Sequence, residues 1–313
     1  MTAPPAIFLL GPTASGKTAQ AMYLADRFPV EIISVDSALV YRDMNIGTAK
    51  PDAATLLKYP HHLVNLINPT DVYSAARFRR DALLVMSQIS ARRKIPLLVG
   101  GTMLYVKALL EGLSTLPEAD ADIRTALAAR AAQMGWPVMH AELARVDPLT
   151  ATRLKPNDGQ RIQRALEVFR LTGSPLSSLQ TRSASTVDFP YTALKIGLIA
   201  GQRGALHERI ATRFDAMLAA GLIDEVKSLR LRYALTAEMP SMRCVGYRQC
   251  WEFLDGKIDK KSLREVGFVA TRQLAKRQLT WLRAMPEVET IDSLRPDLAE
   301  IMVERVDRFL RLS

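Results

Sequence analysis

Cysteine is scarce in this chain: Cys244 and Cys250 are its only two among 313 residues. Two thiols cannot complete a four-ligand zinc site by themselves, and a disulfide framework is equally excluded. Aromatic residues are few, at 6%. No apolar run approaches the roughly 18 residues that a membrane helix requires, so no membrane partner is expected. The opening Met1-Thr-Ala-Pro-Pro5 has no basic region, and the apolar stretch Ala6–Leu10 is very short for a signal-peptide core. These absences lead to the expectation of a protein of a reducing cytoplasm. No pattern marks a seam for assembly, and a monomer is expected.

What is present is ordinary globular material, 48% hydrophobic and 24% charged, enough for a sizeable core. The charge is not balanced. Lysine and arginine number 42 against 32 acidic residues, a net +10. Such an excess favours a polyanionic partner, either nucleic acid or phosphates.

Short apolar runs at Ala6–Leu10, Val30–Val35, Ile95–Val99 and Leu194–Ala200 read as buried strands, with helical patterns at Thr18–Phe28, Ala75–Arg93 and Met103–Leu113 between them. Strands alternating with helices of ten or more residues imply parallel β-α-β units. Between Leu116 and Pro190 short helices follow one another without a strand, with starts marked by Asp147-Pro148 and Ser174-Pro175. The expected fold is therefore α/β: a parallel-sheet core like that of phosphate-loop NTPases (residues 1–115 and 191–313), flanked by helices and carrying an all-helical insertion domain (116–190). Ser183–Asp188 reads as the exit linker. Gly204–Ala220 reads as an amphipathic helix stopped by Gly221, Ser262 and Glu265 as a capping box heading a helix to Arg283, and Pro296–Leu310 as a closing helix.

Gly11, Pro12, Thr13, Ala14, Ser15, Gly16, Lys17 and Thr18 match the phosphate-loop pattern and fall between an expected strand and helix. Backbone N–H groups would turn inward around phosphate oxygens, with the partial positive charge of the helix N-terminus behind them. Lys17 supplies a point charge, and the Thr18 hydroxyl is placed to ligate Mg²⁺. A water-activating NTPase usually has an apolar strand ending in Asp. Here Ile95–Val99 ends in Gly100-Gly101-Thr102, and the strand that ends in an acid is the one before Asp36-Ser37.

Asp36 and Thr102 both follow the carboxyl ends of expected parallel strands, where open α/β sheets form one crevice. Asp36 can accept a proton from an incoming nucleophile or hydrogen-bond the waters of Mg²⁺; Thr102 can orient the nucleophile or simply cap a helix. From Arg243 to Arg283 there are ten Lys/Arg and four acids. That segment suits a nucleic-acid backbone and an unstacked base, or is a solvated basic face. Arg209 and Arg213 share one helix face and can reach a diphosphate or solvent. His61-His62 and the two cysteines read as ordinary residues.

These residues resemble a known family, the tRNA dimethylallyltransferases or tRNA isopentenyltransferases. The likeness runs through GPTASGKT (Gly11–Thr18), ISVDSAL (Ile33–Leu39), NIGTAKP (Asn45–Pro51), YSAARFRR (Tyr73–Arg80), LLVGGTMLY (Leu97–Tyr105), PNDGQRIQRALE (Pro156–Glu167), RCVGYR (Arg243–Arg248) and TRQLAKRQLTWLR (Thr271–Arg283). The resemblance implies transfer of a dimethylallyl group from its diphosphate to N6 of adenine-37 in tRNAs reading codons that begin with U, with Mg²⁺ as cofactor. By position it implies that the phosphate loop cradles the diphosphate, Asp36 is the general base, Thr102 a catalytic hydrogen-bonding residue and Arg213 a diphosphate ligand. It further implies tRNA contacts at Asp36, Ser37, Ala38, Leu39, Thr102 and Arg124, and at Gln160, Arg161, Ile162, Gln163 and Arg164. The same holds for Arg243, Cys244, Val245, Gly246, Tyr247 and Arg248, and for Lys276, Arg277, Gln278, Leu279, Thr280, Trp281, Leu282 and Arg283. The insertion corresponds to the part of the family that grips the anticodon stem-loop. The zinc finger often found in eukaryotic members is absent, so the bacterial form is expected. Two other readings compete: a small-molecule kinase, which leaves the basic segment unexplained, and an RNA-binding NTPase switch, which lacks its acid-ended strand.

Overall fold

The computed structural model describes residues 3–112, 116–182 and 189–312. The chain separates into two compact units, one joining residues 1–110 to 189–313 and the other spanning 111–188. The linker expected at Ser183–Asp188 lies outside the described residues.

The first unit begins with β1 (Pro5–Leu10), α1 (Lys17–Ala25), β2 (Val30–Val35), α2 (Ala53–Lys58), β3 (His61–His62), α3 (Ala75–Ala91), β4 (Ile95–Gly100) and α4 (Met103–Glu111). The second unit holds α5 (Ala121–Met134), α6 (Trp136–Val146), α7 (Pro148–Arg153), α8 (Gly159–Thr172) and α9 (Leu176–Arg182). The chain then returns through β5 (Thr192–Ile199), α10 (Arg203–Ala219), α11 (Leu222–Arg232), α12 (Tyr247–Leu254), α13 (Lys260–Arg283), β6 (Glu289–Asp292) and α14 (Leu298–Leu312).

The six strands form one parallel sheet in the order β3-β2-β4-β1-β5-β6. β1 pairs with β4 through Ile7↔Leu97 and with β5 through Pro5↔Thr192. The central strands are continuously apolar because both faces are covered. One face sets Ile7, Leu9, Ile32 and Leu97 against Ala21 and Leu24 of α1 and Met302 and Val306 of α14. The other sets Phe8, Ile33, Val35 and Leu98 against Phe78 and Met86 of α3 and Val106 of α4.

Three departures from the sequence reading have local causes. β3 and β6 are two- and four-residue edge strands, too short and too polar to carry a periodic signal. Helix α13 is capped one turn earlier than expected: the Asp259 carboxylate accepts from the Ser262 N–H at 2.7 Å, so Ser262 and Glu265 form no capping box. Gly246, which the sequence does not mark as a helix start, is the residue from which α12 begins, with φ 92° and its N–H donated to the Gln249 Oε1 at 2.8 Å.

Within the second unit Leu127, Met139, Leu143, Ile162 and Leu166 make a separate core. Asp147 is 1% exposed. Its carboxylate accepts from the Thr150 N–H to cap α7, and from the N–H and hydroxyl of Ser177 on α9.

Candidate active site

Because every strand runs the same way, the carboxyl ends of β1, β2 and β4 open on one edge of the sheet. Gly11–Thr18 follows β1, Asp36–Leu39 follows β2, and Gly101-Thr102 follows β4. A cleft of about 510 Å³ lies there, walled on its far side by α10 and α13.

The phosphate loop is held in a concave shape. Ala14 (φ 63°) and Gly16 (φ 86°) are left-handed, an alternation that turns successive N–H groups toward a common centre. The Lys17 ammonium folds back inside the loop, donating to the Pro12 carbonyl at 2.6 Å and the Ser15 hydroxyl at 3.3 Å. Burial lowers its pKa to about 7, opposed by the Asp36 charge and reinforced by Arg213. Burial also lowers the pKa of Arg213, and Asp36 again opposes it. Among the described residues no carboxylate lies within ion-pair distance of Arg213, so the cleft holds an unneutralised guanidinium.

Asp36 is oriented by its own turn: one carboxylate oxygen accepts from the Ala38 N–H at 2.8 Å. The Thr102 hydroxyl accepts from the Ser37 N–H at 3.0 Å and lies 3.3 Å from the Ser37 hydroxyl. The Thr102 N–H donates to the Val35 carbonyl. The side chain thus ties the end of β4 to the end of β2, while its carbonyl opens α4. Gly100 packs so closely that a Cβ there would stand 2.1 Å from the Val35 carbonyl oxygen. An acid at that point does not fit, which accounts physically for the missing Asp.

Ser34, two residues before Asp36 on the same face of β2, is 3% exposed and lines the cleft. Its hydroxyl finds no hydrogen-bond partner among the described residues. With the Thr18 hydroxyl and the Asp36 carboxylate, this orphaned oxygen makes a hard donor set of the kind that suits a hydrated Mg²⁺. Among the described residues no three His, Cys, Asp or Glu side chains gather to hold a metal alone. The donor set therefore fits an ion that brings waters and phosphate oxygens with it.

The implied site residues divide into three groups. Thr13 to Thr18, Asp36 to Leu39, Thr102, Arg213, Arg243, Cys244, Val245, Arg277 and Gln278 line the cleft. The Cys244 thiol is pushed up to about 12, by burial first and by Asp36 second, so it stays protonated. Arg248, Lys276, Thr280, Trp281 and Arg283 are exposed. Arg124, Gln160, Arg161, Ile162, Gln163 and Arg164 belong to the second unit.

Several side chains are not surface groups at all. Tyr247, Ile162 and Leu282 are at most 1% exposed and offer no face to an RNA base. Leu279 is half-buried, packed on Leu206 and Ile210. Arg124 and Arg164 both grip Glu167, which is fully buried. Burial alone would raise the Glu167 pKa, but the bonds from Arg164 and Arg124 hold it below its ordinary value. The Gln163 amide donates to the Arg124 carbonyl.

Sequence reasoning missed Glu225. In the first turn of α11, its carboxylate accepts from the N–H groups of Asn45 (3.0 Å), Ile46 (2.8 Å) and Gly47 (3.3 Å) and from the Tyr247 hydroxyl (2.6 Å). It thereby pins the loop whose Gly47, Thr48 and Ala49 form one cleft wall. His61 and His62 lie in β3, with His62 Nε2 in hydrogen-bond contact with a Glu31 carboxylate oxygen at 2.8 Å.

Comparison with known proteins agrees with this geometry. The family model for IPP transferase matches residues 39–285, and that for isopentenyl transferase matches 5–68. A tRNA dimethylallyltransferase of Dechloromonas aromatica is 59% identical over 307 residues, 98% of each chain. One from Thiobacillus denitrificans is 59% identical over 295 residues, 94% of each. Among solved structures, the tRNA isopentenylpyrophosphate transferase of Bacillus halodurans superposes with a TM-score of 0.70 at 34% identity, over 99% of both chains. A eukaryotic dimethylallyltransferase acting on tRNA superposes with a TM-score of 0.82 at 26% identity, over 99% of this chain and 80% of that one. Matched by the family model over residues 39–285 and 59% identical to such proteins over nearly its whole length, the chain belongs to the IPP transferase family.

Proposed function

We propose that this protein transfers a dimethylallyl group from dimethylallyl diphosphate to N6 of adenine-37 in tRNAs that read codons beginning with U, releasing diphosphate. The observation that carries this reading is the meeting, in one cleft, of a phosphate loop, an unneutralised guanidinium and an oriented carboxylate, with no acid after β4 to activate water. The kinase reading is not favoured, since relatives at 57–59% identity are tRNA prenyltransferases by name.

The chemistry follows from charge. The allylic C–O bond breaks with its electron pair going to the diphosphate, so the protein has to stabilise growing negative charge. Loop N–H groups, Lys17 and Arg213 are the groups aimed at it. The adenine amine attacks the allylic carbon, and Asp36 takes the proton that the new C–N bond displaces, through the carboxylate oxygen that Ala38 leaves free. Thr102 holds Ser37, and with it the Asp36 turn, in register. Mg²⁺, held by Thr18 with Ser34 and Asp36 beyond its waters, would supply further charge neutralisation at the diphosphate. The acceptor base has to leave its stack to reach this cleft. Arg243, Arg277 and the exposed Lys276, Trp281 and Arg283 are the surround that would receive it, and the helical second unit is the part that would hold the anticodon stem-loop. We take the working protein to be a cytoplasmic monomer.

Nucleoside mass spectrometry tests the reading. An unmodified tRNA with adenosines at positions 36 and 37 is incubated with protein, Mg²⁺ and dimethylallyl diphosphate, beside an ATP-only control. A prenyl mass gain on one adenosine, absent from the control, is expected. No gain with any such tRNA, together with ATP consumption, would replace this reading with the kinase.

A further inference from the structure

Helix α13 faces two ways. Lys276, Thr280, Trp281 and Arg283 are exposed, whereas Gln278 turns into the cleft. Its side-chain oxygen accepts from the Thr13 N–H at 2.8 Å, and its side-chain nitrogen donates to the Gly101 carbonyl at 3.0 Å. The two bonds have opposite polarity, so only one orientation of the amide satisfies both. Thr13 belongs to the phosphate loop. Gly101 precedes Thr102, whose hydroxyl holds Ser37 beside Asp36.

Position 101 is built around this contact. A Cβ there would lie 2.4 Å from the Gln278 side-chain nitrogen and 2.9 Å from the Gly11 carbonyl oxygen. Glycine at 101 is therefore what lets one amide touch both loops. Thr13 and Gln278 are 265 residues apart, and Gly101 and Gln278 are 177 apart. The bridge also consumes the Thr13 N–H, which is then unavailable to phosphate.

We propose that Gln278 is a positioning residue for the prenyl transfer, not an RNA contact. It fixes the spacing between the loop that holds the leaving diphosphate and the loop that carries Thr102 and Asp36. The inference rests on the function proposed above. Near-attack geometry depends on spacing at the scale of an ångström, and losing it can cost about 100-fold in rate.

The test uses the full chain with tRNA and dimethylallyl diphosphate. Gln278→Ala should lower kcat at least about 10-fold, with tRNA Kd unchanged within about two-fold. Gln278→Glu carries the sharper readout. Ionised, its carboxylate still accepts from Thr13 but repels the Gly101 carbonyl; protonated, it both accepts and donates as the amide does. Its kcat, as a ratio to wild type, should therefore rise as pH falls toward the carboxylate range near 4.5. The Gln278→Ala ratio should stay flat over the same range. A general loss of fold would not produce that difference. Gly101→Ala should also be less harmful in the Gln278→Ala background than alone, because one of its two close neighbours is gone.

Wild-type kcat in Gln278→Ala, or weakened tRNA binding with kcat retained, would overturn the proposal. So would a flat pH ratio for Gln278→Glu. Failure of wild type to prenylate any tRNA would instead overturn the functional reading itself.

Discussion

Lys17 permits a quantitative test of how the cleft holds diphosphate. Its pKa in the free protein is about 7, lowered chiefly by burial. A bound diphosphate beside the ammonium restores the charged form and raises that pKa. The useful ammonium is therefore present in the free protein below pH 7 and lost above it. Binding at higher pH has to take up a proton first. Apparent affinity then falls by the factor 1 + 10^(pH − 7), about 10-fold at pH 8 and about 100-fold at pH 9, or roughly 2.7 kcal/mol at pH 9. The assay is isothermal titration of dimethylallyl diphosphate at saturating Mg²⁺ from pH 6 to 9, repeated in buffers of different ionisation enthalpy to count protons. Proton uptake approaching one per diphosphate is expected at pH 8–9. Lys17→Ala reports any slope due to other groups, and Lys17→Arg, always charged, should bind without this slope. A wild-type profile that is flat from pH 7 to 9, or parallel to that of Lys17→Ala, would refute the reasoning.

Three further outcomes are expected. Asp36→Asn keeps the size of the side chain but cannot take a proton; it should cut turnover by about 10²–10⁴ while tRNA affinity, measured by filter binding, stays within a few-fold. Glu225→Ala strands three loop N–H groups and the Tyr247 hydroxyl, and should cost at least about 2 kcal/mol in denaturant unfolding; an unchanged midpoint would mean the loop is held by something else. The affinity for tRNA should fall steeply with salt, and Lys276→Ala should reduce the magnitude of that log–log slope by about 0.7–0.9; a salt-independent Kd would make the basic segment only a solvated face.

The sheet was legible where burial is complete. Phe8, Leu9, Leu97 and Leu98 lie in uninterrupted apolar runs, and a strand covered on both faces leaves that trace. The phosphate loop and the Asp36 turn were legible for a different reason: each is a local pattern at a strand end. Glu225 escaped, and Gln278 read only as an RNA contact, because the loop groups they hold lie 177 to 265 residues away. Gly100-Gly101 stood out in the sequence as a missing acid, yet the crowding by Val35 that forbids one appears only in three dimensions. Tyr247 was assigned to RNA with its neighbours because a contiguous motif does not reveal which of its side chains turn inward.

The pairing of β1 with β5 sets an order of events in biosynthesis. β1 leaves the ribosome early, but Thr192–Ile199, which closes its second edge, follows more than 180 residues later. At about 5–20 residues per second, roughly 10–40 s separate the two. Once β4 has emerged and paired with it, the nascent sheet ends on β1, an apolar strand with one row of N–H and C=O groups unmatched, and such an edge invites wrong partners. The helical unit of residues 111–188, with its own core, emerges in the meantime. Translation speed across the second unit, and chaperone occupancy of the first, are thus part of how this protein reaches its folded state.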